Sequence, residues 1–134
     1  MIVSTDISDI ELPFPKIKQK GKTNNLTLNI YRNAYYKDVS KAKKEYQAFL
    51  VLKLRPMRKA RYNKIRIIYI MYSKTKQKRD LANFCSIVDK FFQDALVSLK
   101  IISDDCQDIV QEVVFRKGDY CKEDYFRVII EEVV

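Results

Sequence analysis

The sequence predicts an α/β (α+β) fold: a single domain, residues 1–134, with a mixed β-sheet and two main helices packed on it. Three observations predict it. Segments of strand character and of helical period follow one another as strand, helix, strand, helix, strand, strand, an order that suggests a sheet covered by helices. A chain of 134 residues has the length of one domain, since two would each approach the lower limit for an independent core. Its 47% apolar and 12% aromatic content is enough to fill that core and excludes a disordered or low-complexity chain.

With only two glycines and three prolines, loops are marked by polar clusters and breaks in period. Leu26–Arg32 alternates apolar and polar residues as a half-buried strand does. Tyr35, Val39, Ala42, Tyr46 and Phe49 recur at steps of four and three with charged residues between them, the pattern of an amphipathic helix. Pro56 marks a break. Lys64–Tyr72 follows as a buried strand, rich in β-branched and aromatic residues.

The second helix runs from about Leu81 to Ser98. At about 100° per residue, Leu81, Phe84, Cys85, Val88, Phe91, Phe92, Ala95 and Leu96 share one face, and Ile87 alone sits on the other. Asp80 stands at its mouth as a possible N-cap. Ile109–Arg116 and Tyr125–Val133 are two further strands, separated by the polar stretch Lys117–Asp124, and can form a hairpin.

The absence of histidine excludes serine and cysteine triads, the usual zinc hydrolase sites and histidine proton relays. Gly21 and Gly118 are the only glycines, which excludes glycine-rich phosphate loops and a nucleotide cofactor bound through them. Cys85, Cys106 and Cys121 form no CxxC pair and no even framework, so they read as core or bystander residues of a protein in a reducing cytoplasm. The longest apolar run, Ile67–Tyr72, is far too short to cross a bilayer, and the acidic N-terminus is unlike a signal peptide.

A formal charge of +9 points to an anionic partner. The charge is uneven: residues 1–67 carry 16 basic and 5 acidic side chains, and residues 68–134 carry 10 and 12. Lys53, Arg55, Arg58, Lys59, Arg61, Lys64 and Arg66 form one basic run, and Lys74, Lys76, Lys78 and Arg79 another. Each can neutralise a phosphate, and Tyr62, Tyr69 and Tyr72 interleave with them as stacking or core residues. A solvated basic loop has the same composition.

The acidic candidates follow directly. Asp80 ends the second basic run, and Asp104-Asp105 follow Ile101-Ile102-Ser103. Mg²⁺ needs only one or two carboxylates besides water and substrate phosphate, and Asn83 can add a neutral oxygen. Such an ion supports phosphodiester hydrolysis with no histidine. The plainer alternatives are that Asp80 caps the helix and that the Asp pair makes a turn.

Arg79-Asp80-Leu81-Ala82-Asn83, Asp89-Lys90-Phe91-Phe92-Gln93-Asp94-Ala95-Leu96 and Ile102-Ser103-Asp104-Asp105 together resemble the RusA family of Holliday junction resolvases. That family shows an R-D-L-D-N segment, a lysine, a D-A-L in the following helix and a paired D-D. Leu12-Pro13-Phe14-Pro15 is similar to its N-terminal L-P-x-P turn. The specific match covers roughly the C-terminal two fifths of the chain.

The resemblance implies a homodimeric, Mg²⁺-dependent endonuclease that nicks four-way DNA junctions in recombination and repair, in the cytoplasm of a bacterial or phage-infected cell. On this resemblance Asp80 and Asp105 are expected to be catalytic and to hold the metal, Asn83 or Asp104 to complete its site and Lys90 to assist; the basic runs, with Arg58, Lys59, Arg61, Lys74, Lys76, Lys78 and Arg79, are expected to position the DNA.

Two positions depart from the family pattern. Ala82 stands where the second aspartate is expected, and Ser86 where the lysine is expected; Lys90 can take its place only if the helix start contains an insertion. In one continuous helix Lys90 lies about 15 Å from Asp80, and Asp89 about 13 Å away on the opposite side. Two other functions are therefore expected as alternatives: a catalytically weakened or inactive module that binds junction DNA or a protein partner, and a basic RNA-binding domain, for which there is no recognisable motif.

Overall fold

The computed structural model describes residues 3–133. In chain order it contains β1 (Val3–Pro13), β2 (Lys16–Gln19), β3 (Lys22–Asn25), α1 (Leu28–Asn33), α2 (Tyr36–Leu54), a 3₁₀ turn at Arg55–Met57, β4 (Ile65–Ser73), α3 (Leu81–Ser98), β5 (Val110–Tyr120) and β6 (Tyr125–Val133). β1, β6, β4 and β5 form one sheet in that order, and β2 pairs with β3 in a small hairpin. β4 runs parallel to β5 and antiparallel to β6, so the sheet is mixed. The α+β class expected from the sequence is the observed one.

β4 organises the sheet because both its edges are paired and both its faces carry apolar residues. Ile65, Ile67, Tyr69 and Met71 point toward the helices, and Ile68 is buried on the other face. In register, Tyr69 lies between Phe115 of β5 and Val128 of β6, and Val128 lies beside Ile10 of β1. α3 supplies Cys85, Val88, Phe91, Phe92, Ala95 and Leu96 to the same core, and α2 supplies Ala42, Tyr46, Leu50 and Leu54. Each large side chain so buried contributes about 1.5–3 kcal/mol relative to exposure.

α2 is fastened at two points besides its apolar face. The Tyr46 hydroxyl donates to the Pro13 carbonyl at 2.8 Å, and Gln47 Nε2 donates to the Phe91 carbonyl at 3.1 Å. These bonds join the end of β1 and the middle of α3 to one helix. Among the described residues, no helix packs on the second face of the sheet. It carries the Arg66–Glu131 and Arg127–Asp9 ion pairs and Tyr72 stacked on Tyr125, their centroids 4.6 Å apart.

The structure corrects four sequence expectations. Leu26–Arg32 is not a strand: the Thr27 hydroxyl accepts from the Ile30 amide and caps the short helix α1. β5 and β6 do not form a hairpin, because each pairs with a different edge of β4, and the connection 121–124 steps across the end of that strand. The Cys121 amide donates to the Ser73 carbonyl there at 3.0 Å. Ile87 is buried despite its position, since α3 packs on α1 and α2 as well as on β4 and β5. Tyr35 and Phe49 are exposed, and the apolar face of α2 instead continues through Leu50 and Leu54.

Three elements were not expected: β2, β3 and most of β1. The β2–β3 turn uses Lys20 and Gly21, both at positive φ (49° and 80°), the backbone geometry of a tight two-residue hairpin. No helix among the described residues is long and apolar enough to cross a membrane.

Gly118 on β5 provides a test of this packing. A Cβ there would meet two ring atoms of Tyr72 at 2.7 Å, and that ring is already stacked on Tyr125. Gly118→Ala is expected to lose about 1–3 kcal/mol in urea unfolding, because the stacked pair must shift. Adding Tyr72→Ala should cost less in that background than alone. Strictly additive losses would show that the two positions do not touch.

Candidate nucleic-acid interface

The segment that leads from β4 into α3 is held by Arg79. Its guanidinium makes a two-pronged pair with Asp124, at 2.9 and 3.3 Å, and donates to Ser73 Oγ at 3.3 Å. It also lies over the rings of Phe14 and Phe84, 5.5 and 5.1 Å from their centroids. The two charged side chains are only 15% and 8% exposed. Burial alone would raise the Asp124 carboxyl, but hydrogen bonds from Arg79 and from the Lys74 amide hold it below the ordinary carboxylate range. Arg79, expected on the DNA side, is therefore spent on the protein's own framework.

Asp80 follows and starts α3. Its Oδ1 accepts from the Ala82 and Asn83 amides at 3.0 and 3.3 Å, so the N-cap expected from the sequence is present. Asn83 is engaged as well, its Oδ1 accepting from the Asn29 amide of α1 at 2.9 Å.

Beside this helix mouth a cleft of about 380 Å³ opens at the carboxyl end of β4. Met71, Leu81 and Gly118 form part of its lining, together with Lys76, Lys78, Lys117 and Tyr120. The Lys117 and Lys76 ammonium groups lie 4.4 and 6.0 Å from the centroid of the Tyr120 ring. Lys76, Lys78 and Lys117 have no ion pair with any described carboxylate. Lys74, at the start of the same loop, is exposed.

The other basic residues lie elsewhere. Arg58 and Lys59 line a shallow depression after α2 with Leu52, Arg55 and Pro56. Arg61, at φ 44°, lines a further cleft with Tyr62, Lys100 and Ser103. These residues precede β4, whereas Lys74, Lys76 and Lys78 follow it. A strand of 9 residues separates the two groups, about 30 Å or some nine steps of a nucleic-acid strand.

The expected metal ligands are not gathered. Asp80 opens α3, and Asp104 and Asp105 lie in the loop that follows the helix in sequence. Asp104 Oδ1 accepts from the neighbouring Asp105 amide at 2.8 Å, a local bond within this loop. Lys90 sits in mid-helix with its ammonium 5.9 Å from the Tyr31 ring centroid. Among the described residues, no three acidic or cysteine side chains are grouped to hold a metal ion.

Asp105 acts instead on Asp89, a residue whose distance from Asp80 argued against a shared role. Asp89 Oδ1 accepts from the buried Tyr69 hydroxyl at 2.6 Å and from Gln93 Nε2 at 2.8 Å. Burial pushes its carboxyl above the ordinary range and the Asp105 charge adds to the rise, against the two hydrogen bonds. Burial also pushes the Cys85 thiol up to about 12, with the Asp89 charge adding, so this cysteine is a core residue and no nucleophile.

Reading the sequence missed Lys117, Tyr120 and Asp124 because they fall in the polar stretch taken as a connector. Asp124 lies 45 positions from Arg79, and no local pattern reports such a pairing. Neither the family models nor the curated proteins searched contain a match to this sequence.

Removing the guanidinium leaves the Asp124 carboxylate without its partner, so Arg79→Ala is expected to cost about 3 kcal/mol in urea unfolding. Arg79→Lys should recover only part, because an ammonium cannot reproduce the two-pronged pair. A loss under about 1 kcal/mol would reduce the pair to a surface contact.

Asp89 gives a pH-dependent test. Its folded-state value lies above the unfolded one, near 3.9, so wild-type stability falls as pH rises from about 4 through the raised value. Asp89→Asn keeps an oxygen that accepts both hydrogen bonds. It is expected to match or exceed wild-type stability at pH 7, with a flatter profile above pH 4. An unchanged slope would contradict the burial of this charge.

Proposed function

We propose that this chain is a RusA-like endonuclease of DNA recombination and repair that recognises four-way junctions. The observation that carries the reading is the lysine-lined cleft beside α3. The segment that resembles the RusA family, Arg79 to Asn83, forms the mouth of that helix, and three lysines without described acidic partners stand next to it. Arg58, Lys59 and Arg61, at the other end of β4, form separate basic patches that a long nucleic acid could reach in addition. Each phosphate neutralised releases counterions, so affinity must fall steeply with salt.

Mg²⁺ as cofactor and a homodimer as the working form come from the same resemblance. A four-way junction presents two equivalent strands, and a two-fold dimer presents two equivalent sites. The cytoplasm of a bacterial or phage-infected cell is the place that suits this substrate.

One observation favours a second reading, a module that grips junction DNA without cutting it. Ala82 removes an aspartate that the family carries, and the remaining candidate carboxylates are dispersed. Such a protein keeps the phosphate-binding surface and needs no metal.

A labelled synthetic four-way junction and a linear duplex of matched sequence, each with and without Mg²⁺, separate the two. The endonuclease reading predicts symmetric Mg²⁺-dependent nicking of the junction alone, lost in Asp80→Asn and in Asp105→Asn. Asparagine caps helices as well as aspartate does, so loss of activity at position 80 would not be loss of the helix. Salt-sensitive, junction-selective binding with no cleavage establishes the second reading. Equal affinity for junction and duplex, or preference for single-stranded RNA, overturns both.

A further inference from the structure

We propose that the cleft at the carboxyl end of β4 is a subsite for one unpaired nucleotide, with Tyr120 stacking on its base and Lys76, Lys78 and Lys117 holding the flanking phosphates. The inference rests on the reading of the chain as a junction-binding protein and specifies which part of the junction this cleft takes.

The cleft has the dimensions and chemistry for such a guest. Its volume of about 380 Å³ falls at the lower end of the range in which small ligands are held. Its charge comes from the lysines alone, since the Arg79 guanidinium is already neutralised by Asp124. The first turn of α3 contributes Leu81 to the lining, which puts the positive end of an 18-residue helix at the same place.

Tyr120 is the element that a simple phosphate site does not need. It is the last residue of β5, and its side chain is 48% exposed at the rim of the cleft, not folded into the core. Two ammonium groups attend the ring, at 4.4 and 6.0 Å from its centroid, so cations and an aromatic face are presented together. Lysine stems are flexible enough for those groups to move onto phosphates while the ring stays in place. A base inside a continuous duplex has both faces covered by its neighbours. An unpaired base has a free face, and stacking it on an aromatic ring is insensitive to sequence. A branch point is where duplex stacking is interrupted.

The test is fluorescence anisotropy with a labelled oligothymidine strand and the corresponding duplex, across a salt series. Tyr120→Ala is expected to weaken binding to the single strand by roughly tenfold and to leave the duplex nearly unaffected. Tyr120→Phe should bind as wild type, because the ring and not the hydroxyl is used. Removing both ammonium groups in Lys76→Ala/Lys117→Ala should lower the salt slope for the single strand by about 1.4. Thermal unfolding of each variant, unchanged from wild type, excludes misfolding as the cause.

Wild-type affinity in Tyr120→Ala, or an equal loss on single strand and duplex, overturns the subsite. A protein that loses single-strand binding on Tyr120→Ala but neither selects nor cuts junctions keeps the subsite and fails the junction reading. Junction selectivity that survives Tyr120→Ala, with wild-type oligothymidine binding, does the reverse.

Discussion

The Arg79 guanidinium is the interaction on which the packing at the carboxyl end of β4 depends. It touches four elements: Ser73 at the end of β4, Asp124 at the start of β6, Phe14 just after β1 and Phe84 in the first turn of α3. An arginine suits this position because its flat guanidinium can stack on rings while its edge donates in parallel to a carboxylate. With the Lys74 amide on Asp124 and the Cys121 amide on the Ser73 carbonyl, it ties the loop from β4 to α3 to the connection from β5 to β6. The cleft lies between that loop and the end of β5, and Arg79 is part of its lining.

The framework begins at β4. A strand paired on both edges and apolar on both faces is the natural centre of the sheet, and it imposes the remaining topology. β5 reaches it in parallel only after a crossover, which α3 supplies, and β6 then has the opposite edge to fill. The cost of burying Tyr69 at the centre is met by Asp89, whose carboxylate accepts the phenol hydroxyl. Asp89 thus has a structural occupation, and the charge of Asp105 beside it adds to the burial that favours the protonated form.

Much of the fold was legible in the sequence, and the misses have physical causes. The 18 residues of α3 carry an apolar stripe long enough to define one period, and Asp80 marks its start. β1 was obscured because its pairing with β6 shifts register between Val3 and Ile7, which breaks the two-residue alternation a strand normally shows. α1 was misread because its six residues also alternate, and what makes them helical is the Thr27 cap and a bond from Asn29 to Asn83 far along the chain. The hairpin expected of β5 and β6 was a sound local inference overruled by an open strand edge elsewhere. In the candidate site, charge and spacing marked the loop lysines and Asp80. Tyr120 and Asp124 became visible only when chain segments distant in sequence met.

The central claim is that branched DNA is held at the carboxyl end of β4. Amide hydrogen exchange of the full chain, with and without a saturating four-way junction, reads this directly. Slowed exchange is predicted in residues 74–80 and 117–120, with no change in the β2–β3 hairpin. Protection confined to other surfaces, with the loop after β4 exchanging as in the free protein, would contradict it.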